Sequence, residues 1–306
     1  MKTVVLAYHN MGLAGLTALL RHGFDITAIF THEDDPGENC WFGSVKDWAR
    51  QQDIPCYTTE NVNDGEWIDK ISSFRPDLLF SFYYRKMISK KILDIPRFGA
   101  LNLHGSLLPA YRGRCPVNWV LVKGEEKTGV TLHFMVEKPD AGDIVGQKEV
   151  AIDVNDTART LYNKLCTAAG LLLDDVLPVI KTGQIPRRVQ NLALGSYYGG
   201  RRPEDGRIDW MQSAHEIYNL VRAVTDPYPG AYSLLENGEK IILWRVKPVL
   251  SGSENKPGDV ELSGQYVLVK AGRDAIRLLD VEVQGKRMKE AQINEYFKTG
   301  KAMKLK

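Results

Sequence analysis

Apolar residues in the first half of the chain fall in short runs, separated by stretches with a helical repeat. Residues 3–8 (TVVLAY), 26–32 (ITAIFTH), 77–84 (DLLFSFYY) and the run ALNLHGS from Ala100 are the clearest. Runs of this length, rich in β-branched and aromatic residues, predict strands buried on both faces. Between them, residues 11–22, 44–52, 64–74 and 89–93 carry apolar side chains at helical spacing. Ser44 stands where an N-cap is wanted and Gly23 where a helix stops. Residues 56–58 add a short strand. Residues 129–136 (GVTLHFMV) and 143–152 (DIVGQKEVAI) add two more, and a long helix from about residue 156 to 181 follows them.

The pattern then changes. Residues 195–210 (GSYYGGRRPEDGRIDW) are rich in Gly, Arg and turn formers and read as a linker or extended loop. After one helix, 214–224, short strand-like runs follow: AYSLL, ENGEK, IILWRVKPVL, GDVEL, QYVLVKA and AIRLLDVEV. That is an all-β pattern of the size of a small barrel. The expectation is an α/β chain: a doubly wound, Rossmann-like, mostly parallel sheet over residues 1–204, and a smaller β-rich, OB-like domain over 205–306.

Charge narrows the function. Forty Lys and Arg stand against 38 acidic residues, a net charge of +2, which argues against a protein built to hold nucleic acid by its phosphates. Cys40, Cys56, Cys115 and Cys166 are widely spaced, with no C-x-x-C pair, and predict free thiols in a reducing cytoplasm. The N-terminal run is too short for the apolar segment of a signal peptide, and no apolar stretch reaches membrane-spanning length. No His or acidic pair has metal-ligand spacing, so no metal is expected. Nothing in the pattern fixes the oligomeric state.

The candidate chemistry lies at the end of the ALNLHGS strand, where open α/β sheets bind ligands. Asn102 and His104, two residues apart, share one side of an extended backbone. His104 is a candidate general base, and Asn102 an uncharged N–H donor for a developing oxyanion. Asp140, in the turn PDAGD, would orient the imidazole and support its charge. The competing reading is a packing strand end and a turn-forming aspartate. On spacing alone both stay open. His133, in the middle of its strand, reads as a packed histidine.

The run NLHGSLLPAYRG, with DAGD downstream, resembles the signature of the formyltetrahydrofolate-dependent formyltransferases. The resemblance implies formyl transfer from 10-formyltetrahydrofolate to a substrate amine. Asn102, His104 and Asp140 match the family's catalytic triad. It further implies that the folate is held by backbone groups at Lys86, Met87 and Ile88, by a second wall of Val136, Glu137, Lys138, Pro139 and Asp140, and by Arg114.

Three features bear on the acceptor. The loop THEDDPGENCWFGSVKDWA carries Glu33, Asp34, Asp35 and Glu38, which would repel a phosphate backbone; the tRNA branch of the family has a basic loop there. Segments AYHNMG, IFTHEDDPGE, FSFYYR, PVNWVLVKGE and VTDPYPGAYS resemble the branch that formylates UDP-4-amino-4-deoxy-L-arabinose in lipid A modification and polymyxin resistance. In that branch a decarboxylase/dehydrogenase domain follows, so this chain is either a part of such a protein or a stand-alone relative. A nucleotide-linked amino sugar is therefore the expected partner, then another UDP- or dTDP-linked 4-amino sugar, then methionyl-tRNA. Helix-start amides at His9, Asn10, Met11 and Gly12 are candidates for a diphosphate, and Tyr197 and Arg201 for base and phosphate. The turn is not G-x-G-x-x-G, so a nicotinamide cofactor is not indicated. The basic tail KTGKAMKLK reads as solvated.

Overall fold

The computed structural model describes residues 1–34, 37, 39–252, 256–299 and 303–306. Asp35 and Glu38 of the acidic loop lie outside the described residues. The chain forms two compact units. One comprises Met1–Pro116, Lys127–Ile152 and Tyr162–Gly199; the other Val117–Glu126, Asp153–Leu161 and Gly200–Lys306.

The first half of the chain alternates as its pattern predicts: β1 (Lys2–Ala7), α1 (His9–Arg21), β2 (Asp25–Thr31), α2 (Val45–Gln51), β3 (Cys56–Thr58), α3 (Gly65–Ser73), β4 (Leu78–Phe82), α4 (Lys90–Leu93), β5 (Ala100–His104). A two-residue strand β6 (Arg112–Gly113), helix α5 (Pro116–Val122), β7 (Lys127–Phe134), β8 (Ile144–Ala151), α6 (Ala158–Lys181) and a two-residue strand β9 (Tyr197–Tyr198) follow. The sheet order is β3-β2-β1-β4-β5-β7-β8, parallel from β3 to β5 and antiparallel at β7 and β8. Starting at β1 and winding out both ways makes it doubly wound.

Alternation along each strand divides the core. Val4 and Leu6 of β1, Ala28 and Phe30 of β2 and Leu79 of β4 join one cluster with Ile71 and Ile92. Their neighbours in sequence point to the opposite face. There α1 lies so close to β4 that a Cβ on Gly15 would come within 2.3 Å of the Phe82 ring, which explains the glycine. Ser44 caps α2 by accepting the Asp47 amide at 3.1 Å.

The second unit is antiparallel. Helix α7 (Ala214–Val224) opens with a capping box between Ser213 and Glu216. Strands β10 (Ala231–Leu234), β11 (Lys240–Val249), β12 (Val260–Ser263), β13 (Tyr266–Lys270), β14 (Ala275–Val283) and β15 (Lys286–Lys289) follow, then α8 (Glu290–Lys298). The order is β10-β11-β14-β13-β12, with β15 on β14. Two expectations change here. ENGEK is mainly a hairpin turn, because Asn237-Gly238 supplies the left-handed residue at Gly238, φ 85°. The end of the basic tail is not solvated. Leu305 is 1% exposed, and the backbone of residues 303–306 bonds to Val260 beside one sheet edge and Leu234 at the other. An edge strand left open would present unpaired amides, and this segment covers both.

Candidate active site

Strand β5 delivers Asn102 and His104 to the site, and its antiparallel neighbour β7 sets Asn102 opposite His133 and His104 opposite Thr131. The His104 ring is buried. Its Nε2 lies 2.8 Å from the Tyr111 carbonyl oxygen. A carbonyl only accepts, so Nε2 carries the hydrogen and the neutral ring keeps its lone pair on Nδ1. That atom stands 3.6 Å from Asp140 Oδ1.

Tyr111 can present its carbonyl because the turn after β5 is tightly braced. Ser106 Oγ donates to the Ala110 carbonyl at 2.6 Å, and Thr131 Oγ1 to the Ser106 carbonyl at 2.6 Å. The Tyr111 amide donates to Ser196 Oγ at 2.9 Å, and its ring stacks on Tyr198 with centroids 5.1 Å apart. Tyr111 itself adopts φ 58°, uncommon for a residue with a Cβ.

Asp140 belongs to the β7–β8 loop, also at positive φ, 52°. One carboxylate oxygen accepts the Gly113 amide at 2.8 Å. The other faces both histidines, 3.6 Å from His104 Nδ1 and 3.5 Å from His133 Nε2. Burial pushes the Asp140 carboxyl up; the attraction of the His104 and His133 rings in their protonated forms and the Gly113 amide outweigh it and hold the group below the ordinary carboxylate range. His133 donates from Nδ1 to the Phe134 carbonyl at 2.8 Å, which leaves Nε2 to accept the Asn102 amide at 3.1 Å. One Asn102 N–H is thus anchored, and the second is available to a ligand.

The structure therefore brings Asn102, His104 and Asp140 together and adds groups that the sequence did not single out: His133, the Tyr111 carbonyl and the Gly113 amide. Cross-strand pairing of His133 with Asn102 would have revealed the first, but that register is invisible in the linear chain.

Of the segments assigned to a folate, Arg114 follows Gly113 and residues 136–139 precede Asp140 in the chain. Arg114 Nη2 reaches the Arg85 carbonyl at 3.4 Å, next to Lys86. Asn63 clamps the loop from below, donating to the Met87 carbonyl at 2.9 Å and accepting the Ser89 amide at 2.7 Å, and Ile88 is buried. The Lys90 ammonium is raised above its ordinary range by its pair with Asp94, and Glu137 adds to the effect. Met87 and Val136 are 58% and 45% exposed. Glu137 and Lys138 are exposed, and Pro139 half-buried.

The start of α1 is differently disposed. The His9 ring is buried against Phe42, Trp41 and Tyr162, with centroids 3.9, 4.6 and 4.7 Å away. The amides of Asn10, Met11 and Gly12 go to His9 Nδ1 (2.9 Å), the Tyr162 hydroxyl (2.9 Å) and the Tyr8 carbonyl (3.1 Å). In this structure those N–H groups are engaged inside the fold. Tyr197 is exposed, and Arg201 stacks on Trp119 at 4.6 Å. Glu33 of the acidic loop pairs with Lys46 in the first turn of α2 at 3.1 Å. None of the four cysteines is in a disulfide among the described residues. Among the described residues, no helix is long and apolar enough to cross a membrane.

Beyond the end of β5 an imidazole, a side-chain amide and a carboxylate thus meet. The chain belongs to the formyl transferase family: residues 2–177 match the formyl transferase domain, and residues 201–299 the formyl transferase C-terminal domain. Solved structures share the fold. An N-formyltransferase from Helicobacter canadensis, in complex with folinic acid and dTDP-3-aminofucose, is 22% identical over 91% of this chain and 99% of its own, with a TM-score of 0.69. WlaRD, a sugar 3N-formyltransferase in the presence of dTDP and 5-N-formyl-THF, is 22% identical over 94% of this chain and 98% of its own, TM-score 0.65. HypX from Aquifex aeolicus is 18% identical over 98% of this chain, TM-score 0.65. This chain spans about half of HypX, 48%.

Proposed function

We propose that this enzyme transfers the formyl group of 10-formyltetrahydrofolate to the amine of a nucleotide-linked amino sugar, UDP-4-amino-4-deoxy-L-arabinose being the first choice. The observation that carries the reading is the His104 tautomer. With Nε2–H committed to Tyr111, the lone pair on Nδ1 faces the ionised Asp140 and is ready to accept a proton.

The neutral sugar amine attacks the formyl carbon, forming a C–N bond and a tetrahedral oxyanion. Asn102 meets that oxyanion with its second N–H. His104 Nδ1 takes the proton released by the attacking nitrogen, and the Asp140 carboxylate stabilises the resulting imidazolium. The proton then passes to folate N10 as the carbon–N10 bond breaks, leaving tetrahydrofolate and the formamide. Proton transfer of this kind is worth about 10²–10⁴ in rate and one oxyanion donor about 10²–10³.

The folate is proposed to lie between residues 86–88 and 136–140 with Arg114 beside it. Exposed Met87 and Val136 would be covered by an apolar ring, which stabilises such a complex. An amino sugar fits better than tRNA because the loop after β2 retains acidic Glu33 and Asp34, and Lys46 in α2 beyond it is already paired. Tyr197 and Arg201 are the proposed nucleotide contacts, with the transfer chemistry in residues 1–204 and the OB-like domain in 205–306. The dTDP-sugar and folate ligands named for the Helicobacter enzyme and WlaRD support this class of substrate. The test is a panel of UDP-4-amino-4-deoxy-L-arabinose, dTDP-4-amino-6-deoxy sugars and methionyl-tRNA, each incubated with 10-formyltetrahydrofolate and read by mass spectrometry. Formylation of the UDP-pentose alone supports the first choice. A formylated dTDP-hexose keeps the mechanism and changes the sugar. A formylated tRNA overturns the amino-sugar reading.

A further inference from the structure

Asp140 is held in a turn that has few means of holding itself. Its φ of 52° is disfavoured for a residue with a Cβ. Two residues on, a Cβ at Gly142 would fall 2.0 Å from the Phe134 carbonyl oxygen, so the turn is pressed against β7. Asp140 and Gly142 both lie in the loop outside β7 and β8. Both are met by one side chain from fifty residues further along. Gln190 is 8% exposed, and its Nε2 donates to the Asp140 carbonyl at 3.0 Å and to the Gly142 carbonyl at 2.6 Å. Two carbonyl acceptors fix which end of the amide is nitrogen.

The segment carrying Gln190 is itself tied to the same loop. Arg188 and Ile144 exchange backbone hydrogen bonds at 2.8 and 2.9 Å. The Arg187 guanidinium lies 3.5 Å from the centroid of the Phe134 ring and 3.6 Å from Asp143 Oδ2. Residues 187–190 thus form a strap across the turn. Gln190 is the only one of these three ties that reaches Asp140.

We propose that Gln190 is a positioning residue of the active site, acting through the Asp140 backbone to keep the carboxylate against His104 Nδ1. The inference rests on the formyl-transfer reading for its assay. Without the two N–H donors, the buried carbonyls have no partner and the turn relaxes, and the carboxylate leaves its place. A displacement of about 1 Å in a preorganised site costs on the order of a hundredfold in rate.

The test compares Gln190→Leu, which removes both donors at similar volume, in the wild-type and Asp140→Asn backgrounds, with circular dichroism to verify folding. Gln190→Leu is expected to lower kcat ten- to a hundredfold with both KM values within about threefold. In the Asp140→Asn background it should lower kcat no further, since residues acting through one group are not additive. A kcat within twofold of wild type, or an equal loss in both backgrounds, overturns the proposal. Should Gln190→Leu not fold, Gln190→Glu keeps the shape and replaces the donors with acceptors. A folded Gln190→Glu enzyme with wild-type kcat at pH 8 equally overturns it. If the wild-type enzyme formylates no amine in the panel, it is the functional reading that fails.

Discussion

The His104 ring donates its Nε2 hydrogen to the Tyr111 carbonyl at 2.8 Å, seven residues away across the turn that follows β5. That one bond decides which nitrogen can accept a proton. It also sets a requirement on the turn, since a Tyr111 carbonyl aimed elsewhere would free the ring to take the other tautomer. Replacing Ser106 by Ala removes a donor to the Ala110 and Tyr111 carbonyls, at 2.6 and 3.3 Å. Ser106→Ala is expected to lower stability by about 1–3 kcal/mol, the cost of leaving the part-buried Ala110 carbonyl without this donor. Urea unfolding measures this, and an unchanged midpoint would show that the turn does not depend on the serine.

Asn102 is held by the His133 ring. His133→Phe leaves the Asn102 amide without its acceptor at 3.1 Å. Asn102→Ala should lower kcat roughly a hundredfold or more. His133→Phe should fall between that variant and wild type, because the amide remains but wanders. Steady-state kinetics in which His133→Phe matches wild type would remove His133 from the site's machinery.

Gly113 cannot be exchanged. Its φ is 96°, and an added Cβ would stand 2.2 Å from the Tyr198 carbonyl oxygen. Its amide also holds Asp140. Gly113→Ala is expected to cost about 1–3 kcal/mol or more from backbone strain alone, with loss of activity. A thermal midpoint equal to wild type would contradict the close approach of β6 and β9.

Stability should fall in mild acid because of His9. Burial first, then the Arg85 charge, lower its pKa from 6.5 to about 3. The unfolded chain therefore takes up a proton before the folded one does. The stability that a neutral His9 provides is complete above pH 6.5 and shrinks as pH falls toward the folded value. At about 1.4 kcal/mol per unit, the cost by pH 4.5 is on the order of 3 kcal/mol. His32, lowered to about 4 by burial, Arg85 and Lys86, adds in the same direction. Asp140 contributes nothing to this slope, since its pKa lies below the ordinary carboxylate range and its stabilisation is lost only in stronger acid. His9→Asn keeps a residue that tolerates positive φ, here 64°. Its stability should depend less on pH between 7 and 4.5. Equal slopes for the two proteins would place the acid sensitivity elsewhere.

The fold was readable because strand and helix periods differ. The runs TVVLAY and DLLFSFYY are too short and too continuously apolar for anything but buried strands, and they became β1 and β4 within a residue or two. ENGEK misled because its charged residues flank an Asn-Gly turn. The tail misled because its lysines hide Leu305, whose burial depends on two strand edges far away in sequence. In the site, the spacing of Asn102 and His104 left a packing strand end open as an alternative, and it was the resemblance of the run NLHGSLLPAYRG that singled them out. Asp140 was expected to join them, but what holds it there was not legible, since that rests on a loop at positive φ, a glycine amide and the Gln190 bridge. His133 resembled a core histidine because nothing local marks its register against β5. The α1 start looked like a phosphate cradle, yet the amides of Asn10, Met11 and Gly12 are taken up by His9, Tyr162 and Tyr8, contacts that only packing creates.

The most direct test of the account is formyl transfer to UDP-4-amino-4-deoxy-L-arabinose by wild-type enzyme and by His104→Ala, at saturating 10-formyltetrahydrofolate, with both proteins shown to be folded. If His104 Nδ1 takes the amine proton, the variant should lose about 10²–10⁴ in kcat while still binding the folate. Equal rates for the two proteins would contradict the assignment of the proton acceptor, and with it the mechanism built on the Tyr111 bond.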